Sequence, residues 1–279
     1  MKTTLGLFGI FGIWITMATM ALSELLPLSG IQLTLLRGTS GLLIIGVFAF
    51  LKKGIISLPD RNTMRLTFFF GVATLALFQG IKIWGANLSA ILLDLAVLVP
   101  IILSLRRKEK VDNVVIIAFA TAILGSTFAL RIWDVKDIIF SGLIWSLVAM
   151  IANGYFIEYA GKAKQSDLCK TFWISVGLVV IGSFGFYQFP LLTSIQWKIA
   201  ILIGFATGLL NFLCVFVAFK NLKAVWVGVL VLGVTPSIMI SSYFFLHKSM
   251  GSDQLFGVAI TLISIGVLGN FLRAEHKNT

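Results

Sequence analysis

Apolar residues run through this sequence in long blocks, broken by short stretches that hold nearly all of its charge. A helix satisfies its own backbone hydrogen bonds in lipid and needs roughly 20 apolar residues to cross the hydrocarbon, somewhat fewer where short spans pack tightly. Ten blocks qualify, predicting spans over residues 5–23, 31–51, 66–83, 87–105, 113–130, 138–158, 168–188, 196–218, 224–246 and 254–272. The joins between them are short. The opening Met1, Lys2, Thr3, Thr4 imitates a signal peptide, but the apolar run continues past Trp14 and Met20 without a small-residue cleavage site, so it reads as the first span.

Composition agrees with the pattern. Hydrophobic residues make up 58% of the 279 and charged ones 12%, against about 25% charged in soluble domains. Mean hydropathy is +1.02. The fold class expected is therefore an all-α integral membrane protein. Charge then supplies sidedness, because Lys and Arg gather in cytoplasmic loops. With the N-terminus inside, sixteen of the 22 basic residues fall in cytoplasmic segments, among them Lys52, Lys53, Arg106, Arg107, Lys108, Lys110, Lys162, Lys164 and Lys277. Five (Lys82, Arg131, Lys136, Lys198 and Lys248) fall outside, and Arg37 lies within a span. Both termini are expected in the cytoplasm. The net charge of +11 is then a topology signal whose counter-charge is anionic membrane lipid, and the scattered basic residues build no nucleic-acid surface.

Shifting the sequence by 136 places Gly41-Leu42-Leu43-Ile44-Ile45-Gly46 on Gly177-Leu178-Val179-Val180-Ile181-Gly182, Pro100 on Pro236 and Gly6 on Gly142. Two five-helix repeats are predicted, 1–132 and 133–279. Since five is odd, the second enters the membrane inverted, and inverted halves are a transporter signature.

Several stretches resemble the drug/metabolite transporter superfamily, specifically bacterial proteins with two EamA-type domains, over nearly the whole chain. They are Leu33-Thr34-Leu35-Leu36-Arg37, similar to an arginine early in the second span, and the lysine-then-proline hairpins Lys82 to Pro100 and Lys220 to Pro236. A third is the glycine-bracketed run Gly257-Val258-Ala259-Ile260-Thr261-Leu262-Ile263-Ser264-Ile265-Gly266. One departure is that the acid-base pair following the proline-bearing helix, Glu109-Lys110 in the first half, becomes His247-Lys248 in the second. The resemblance implies spans 1–4 and 6–9 around a central cavity, with spans 5 and 10 packed outside. It also implies a secondary transporter in a bacterial inner membrane, with substrates ranging over amino acids, sugars, nucleotide derivatives and drugs. Fold alone does not select among these.

Charges inside spans cost about 2.5 to 3.5 kcal/mol on insertion scales and are functional candidates by default. Arg37 and Asp94 both lie roughly 9 to 11 Å below the outer ends of their spans, and Gln79 at about 8 Å, counting 1.5 Å per residue. A cluster of Arg37, Gln79 and Asp94 is expected. Asp94 would alternate between a proton and a substrate ammonium group while Arg37 holds a carboxylate; a structural Arg37–Asp94 ion pair is the alternative. Leu230 stands at the repeat position of Asp94, so this acid is unrepeated.

Asn153, Asn211, Asn87, Thr16 and Thr19 form a second tier. Thr207, Asn211 and Cys214 share one helix face, where lining a cavity and bonding to another helix are both open. Trp14 and Trp145 lie deep enough to stack on an organic cation. Trp84, Trp133, Trp197 and Trp226 read as interfacial anchors, and Glu24 and Glu158 as exposed at span ends. Pro100 and Pro236 are expected to kink their helices, statically or as gating bends.

No metal or cofactor site is expected. Cys169 and Cys214 read as packing residues, and the two histidines, His247 and His276, sit at or beyond span ends. The absence of His-Glu-x-x-His, Gly-x-Ser-x-Gly and P-loop motifs argues against an enzyme or an ATP-driven pump. The expected activity is export of an amino acid or related amine-bearing metabolite by alternating access, with protons as coupling ion and a homodimer allowed. The alternatives are a lipid-handling protein or enzyme acting on a lipid-linked substrate, and a channel.

Overall fold

A computed structural model describes residues 2–51, 56–109, 111–131 and 140–275. The expected repeat junction at 132–133 lies outside these residues, as do Lys52, Lys53, Lys110, Trp133, Lys136, His276 and Lys277. The described secondary structure is helical throughout: α1 (Lys2–Ala18, continued by a 3-10 turn to Leu25), α2 (Gly30–Leu51), α3 (Arg61–Trp84), α4 (Ala86–Asp94) and α5 (Leu98–Arg106). Then follow α6 (Asn113–Leu130), α7 (Phe140–Ala160), α8 (Asp167–Gly182, with a 3-10 extension to Gln188), α9 (Ser194–Phe205) and α10 (Asn211–Asn221). Last come α11 (Ala224–Val231), α12 (Val234–Leu246) and α13 (Ser252–Glu275).

Taking the broken helices as continuous, nine described segments are long and apolar enough to cross a membrane. The chain is a membrane-spanning all-α protein. A further apolar helix, α6, runs to Leu130, where Arg131 turns left-handed at φ 47° and ends it. Elsewhere the ends moved for local reasons. The polar turn Arg61–Arg65 is helical because the Asp60 carboxylate accepts the Thr63 N–H at 2.6 Å. A Thr193/Gln196 capping box starts α9 at Ser194.

Exposure is inverted relative to a soluble protein. Phe8, Leu43, Phe244 and Ile263 are each more than 60% exposed, while Thr34, Ser126, Ser146, Thr171 and Thr207 are fully buried. Lipid is as apolar as leucine, so burying large side chains gains little; small residues that let backbones approach hold the helices together. α6 and α13 meet where a Cβ on Gly125 would stand 2.8 Å from the Gly257 carbonyl oxygen, and Ser264 Oγ donates to the Ala118 carbonyl at 2.8 Å. The most extensive interfaces join α3 to α7, α6 to α13, α2 to α8 and α1 to α10. Each brings an early helix against a late one, so the two halves of the chain are interleaved.

Polar groups tie both ends of the bundle. At the end predicted to face outward, Glu24 accepts the Ala86 N–H at 3.0 Å and pairs with Lys248 at 2.6 Å. Lys82 Nζ donates to the Ser23 and Leu26 carbonyls at 2.8 and 2.7 Å. At the other end Glu158 is not exposed as expected but 5% accessible, held by Arg107 at 2.5 Å and by Lys162. Hydrogen bonds that Arg107 donates to Glu109 and Glu158 push its guanidinium above its ordinary range, and Arg107 in turn holds the Glu109 carboxyl below its own. Glu158→Gln leaves both cations without their buried partner. It is expected to cost about 1.5 to 3 kcal/mol, read as a lower melting temperature of the detergent-purified protein; an unchanged melting point would show that the pairs contribute nothing.

Trp226 is likewise interior rather than interfacial, 4% exposed and stacked on Phe271. Trp197, 45% exposed, remains at the surface as expected. Trp84 turns inward to share its indole N–H between Ser89 and Ser146, both at 3.1 Å.

Candidate functional site

Three helix interruptions build the centre of the molecule. Proline has no N–H, and its ring collides with the carbonyl four residues earlier. Pro100 accordingly follows the 3-10 break Leu95–Val97 between α4 and α5, and Pro236 follows the gap at Leu232 and Gly233 between α11 and α12. Each proline thus follows an interruption of its helix. The third interruption, unforeseen, is a π turn over Ala206–Leu210 between α9 and α10. Residues at or beside all three, including Asp94, Val97, Asn211, Leu232 and Val234, line one cavity between the helices. Interrupted helices and π turns leave carbonyls outside the regular ladder, which lipid forbids but a cavity accommodates.

Arg37 and Asp94 both line this cavity, yet they form no ion pair. Asp94, 6% exposed, accepts two hydroxyl hydrogen bonds on Oδ2, from Ser126 at 3.1 Å and Thr235 at 2.7 Å. Arg37, 2% exposed, donates Nε–H to the Thr207 carbonyl in the π turn at 2.9 Å. Its guanidinium carbon lies 4.8 Å from the Phe70 ring centre and 5.4 Å from that of Phe212. Asn153 and Asn211 also line the cavity, Asn211 accepting from Thr16 at 3.1 Å. Apolar side chains such as Met17, Leu77, Phe156 and Val231 complete the wall.

Three expected members lie elsewhere. Gln79 packs against Gly30 at the start of α2; the cavity face of α3 is Phe70, Ala73, Thr74 and Leu77, and Gln79 stands about 200° around the helix from Leu77. Trp14 donates its indole N–H to the Leu230 carbonyl at 2.9 Å and lies on Gly233, so it braces the broken α11–α12 helix, while Ile13 and Met17 face the cavity. Trp145 is half-buried core outside the lining, about 80° around α7 from Asn153. Equal depth along a span is thus not convergence on one face. Of the polar stripe, only Asn211 lines the cavity: the Thr207 hydroxyl bonds back to the Ile203 carbonyl at 2.7 Å, and Cys214 packs against Gly12 of α1. Thr19 bonds to the Thr16 carbonyl. Ser126, Thr235, Phe70 and Phe212 were missed, since buried hydroxyls and phenylalanines recur in every span and nothing in the sequence marks these four.

No protein-family model and no curated protein matches the chain. Its fold does recur among solved structures, where 27 chains match. One of these, a protein crystal structure, superposes with a TM-score of 0.82 over 98% of this chain and 100% of its own length at 12% sequence identity. That likeness speaks for the fold alone.

Proposed function

We propose that the chain is a secondary transporter of the drug/metabolite type that exports a small metabolite, such as an amino acid or amine-bearing compound, across a bacterial inner membrane by alternating access. The observation that carries the reading is the cavity: two ionisable residues face it from different helices without neutralising each other, at the level where three helices are broken. Discontinuous helices around a mid-membrane site are how many transporters bind solutes and ions. Ten spans in two inverted halves are supported by the packing. Exchanging each span for the one five later converts the α1–α10 contact into α7–α3 and returns α2–α8 and α6–α13 to themselves. The breaks preceding Pro100 and Pro236, 136 residues apart, obey the same exchange.

In this reading Asp94 is the coupling group. Its Oδ1 has no hydrogen-bond partner among the described residues and is available to a proton or a substrate ammonium group, while Ser126 and Thr235 hold the other oxygen in place. The Glu24 and Lys82 contacts close the outward end and Phe219 borders the cavity toward the other end, an arrangement suited to a cytoplasm-facing state. Reconstituted into proteoliposomes, the protein is expected to show saturable counterflow of a radiolabelled amino acid. Flux that rises linearly with concentration would indicate a channel, and no flux of any solute tested would remove the transport reading.

A further inference from the structure

The Arg37 guanidinium uses one of its five N–H donors, on the Thr207 carbonyl. Its Nη groups have no hydrogen-bond partner and no carboxylate within ion-pair distance among the described residues; the guanidinium carbon lies over the faces of Phe70 and Phe212. Ring faces attract a cation but do not satisfy the in-plane N–H donors of the fork. The residue is 2% exposed, and the surface left to it faces the cavity. Its position differs in kind from that of Asp94. A carboxylic acid sheds its charge by taking a proton, whereas a guanidinium stays protonated in proteins, so an anion is what completes it.

The approach to the cavity carries the same sign. At the end assigned to the cytoplasm, Lys164, Lys170 and Lys220 line a cleft whose one acid among the described residues, Asp167, is paired with Lys170 at 2.8 Å. Phe219 lines both this cleft and the central cavity. A solute entering by this route passes a concentration of positive charge before it reaches Arg37.

We infer that the cavity holds a carboxylate subsite: the Nη edge of Arg37 takes the carboxylate of a small organic acid in the two-pronged geometry of guanidinium recognition, and the apolar body of the solute rests on Met17, Leu77, Phe156 and Val231. The carboxylate is the required group and the amine an accessory one. This narrows the proposed transporter's substrates to carboxylates, amino acids among them, and rests on that reading only for their movement across the membrane.

The test is binding to the full chain in detergent, measured as thermal stabilisation by two matched series: leucine, 4-methylpentanoate and 3-methylbutylamine; phenylalanine, 3-phenylpropanoate and 2-phenylethylamine. In at least one series the amino acid and its deaminated acid are expected to raise the melting temperature by roughly 3 °C at ten times Kd, and the amine not at all. Arg37→Lys, which keeps the charge but loses the fork, is expected to weaken carboxylate binding about tenfold or more with little change in the ligand-free melting point. Stabilisation by the amines alone, by no compound, or equally in Arg37→Lys overturns the subsite. Proteoliposome flux separates the two readings: carboxylate binding without flux removes transport and leaves the subsite, while saturable flux of amines without carboxylate binding does the reverse.

Discussion

Asp94→Asn is expected to leave the protein folded and still capable of solute exchange, but to abolish accumulation driven by a pH gradient. The amide is isosteric with the carboxyl, and its oxygen can accept the Ser126 and Thr235 hydroxyls as Asp94 Oδ2 does. Stability should therefore change by less than about 1 kcal/mol. What the substitution removes is the ability to bind and release a proton. A gradient of one pH unit stores about 1.36 kcal/mol per coupled proton. Wild-type vesicles should thus accumulate solute about tenfold for each unit when one proton is coupled, and the variant should stop at equal concentrations on both sides. Measuring accumulation against the imposed gradient in both proteins decides the matter: full pH-driven accumulation by Asp94→Asn would mean that the proton is carried elsewhere.

The second large effect is structural. Gly208→Leu places a side chain in the π turn where a Cβ would overlap the carbonyl oxygen of Arg37 and stand 3.4 Å from the backbone nitrogen of Gly41. Both obstacles are main chain, so no rotamer change relieves them, and α2 must move away from the turn that holds Arg37. A loss of about 3 kcal/mol or more is expected, seen as aggregation or a strongly lowered melting temperature on size-exclusion and thermal analysis. Gly46→Ala, at a position with nothing within 4 Å of the added Cβ, serves as the matched control and should behave as wild type. A monodisperse Gly208→Leu with an unchanged melting point would contradict the close crossing of α2 and the π turn.

The ten apolar blocks were legible because lipid imposes a one-dimensional rule: each crossing segment must close its own backbone hydrogen bonds over a set length, so its position is written locally. Nine appear as membrane-length helices among the described residues, and the block at 113–130 is the helix α6, which ends at the left-handed Arg131. Arg37 and Asp94 stood out for the same reason, as charges inside such blocks, and Pro100 and Pro236 because a proline acts on the carbonyl four residues before it. These are statements about single helices.

Direction around a helix is of another kind. Arg37, Gln79 and Asp94 share a depth, but only the packing of α3 against α7 and α8 turns Gln79 away while Phe70 and Thr74 face inward. The same holds for Trp14, drawn onto the carbonyl of Leu230, and for Glu158, buried where Arg107 and Lys162 converge on it. Ser126 and Thr235 became partners of Asp94 only when α6 and α12 met α4. By itself the sequence determined an all-helical membrane protein, the span positions, two intramembrane charges and two proline breaks, since each follows from solvent and chain acting on neighbouring residues. Tertiary structure alone decided which faces meet, where the cavity opens, and that Arg37 and Asp94 line it unpaired, because helix rotation is set by contacts between residues far apart in the chain.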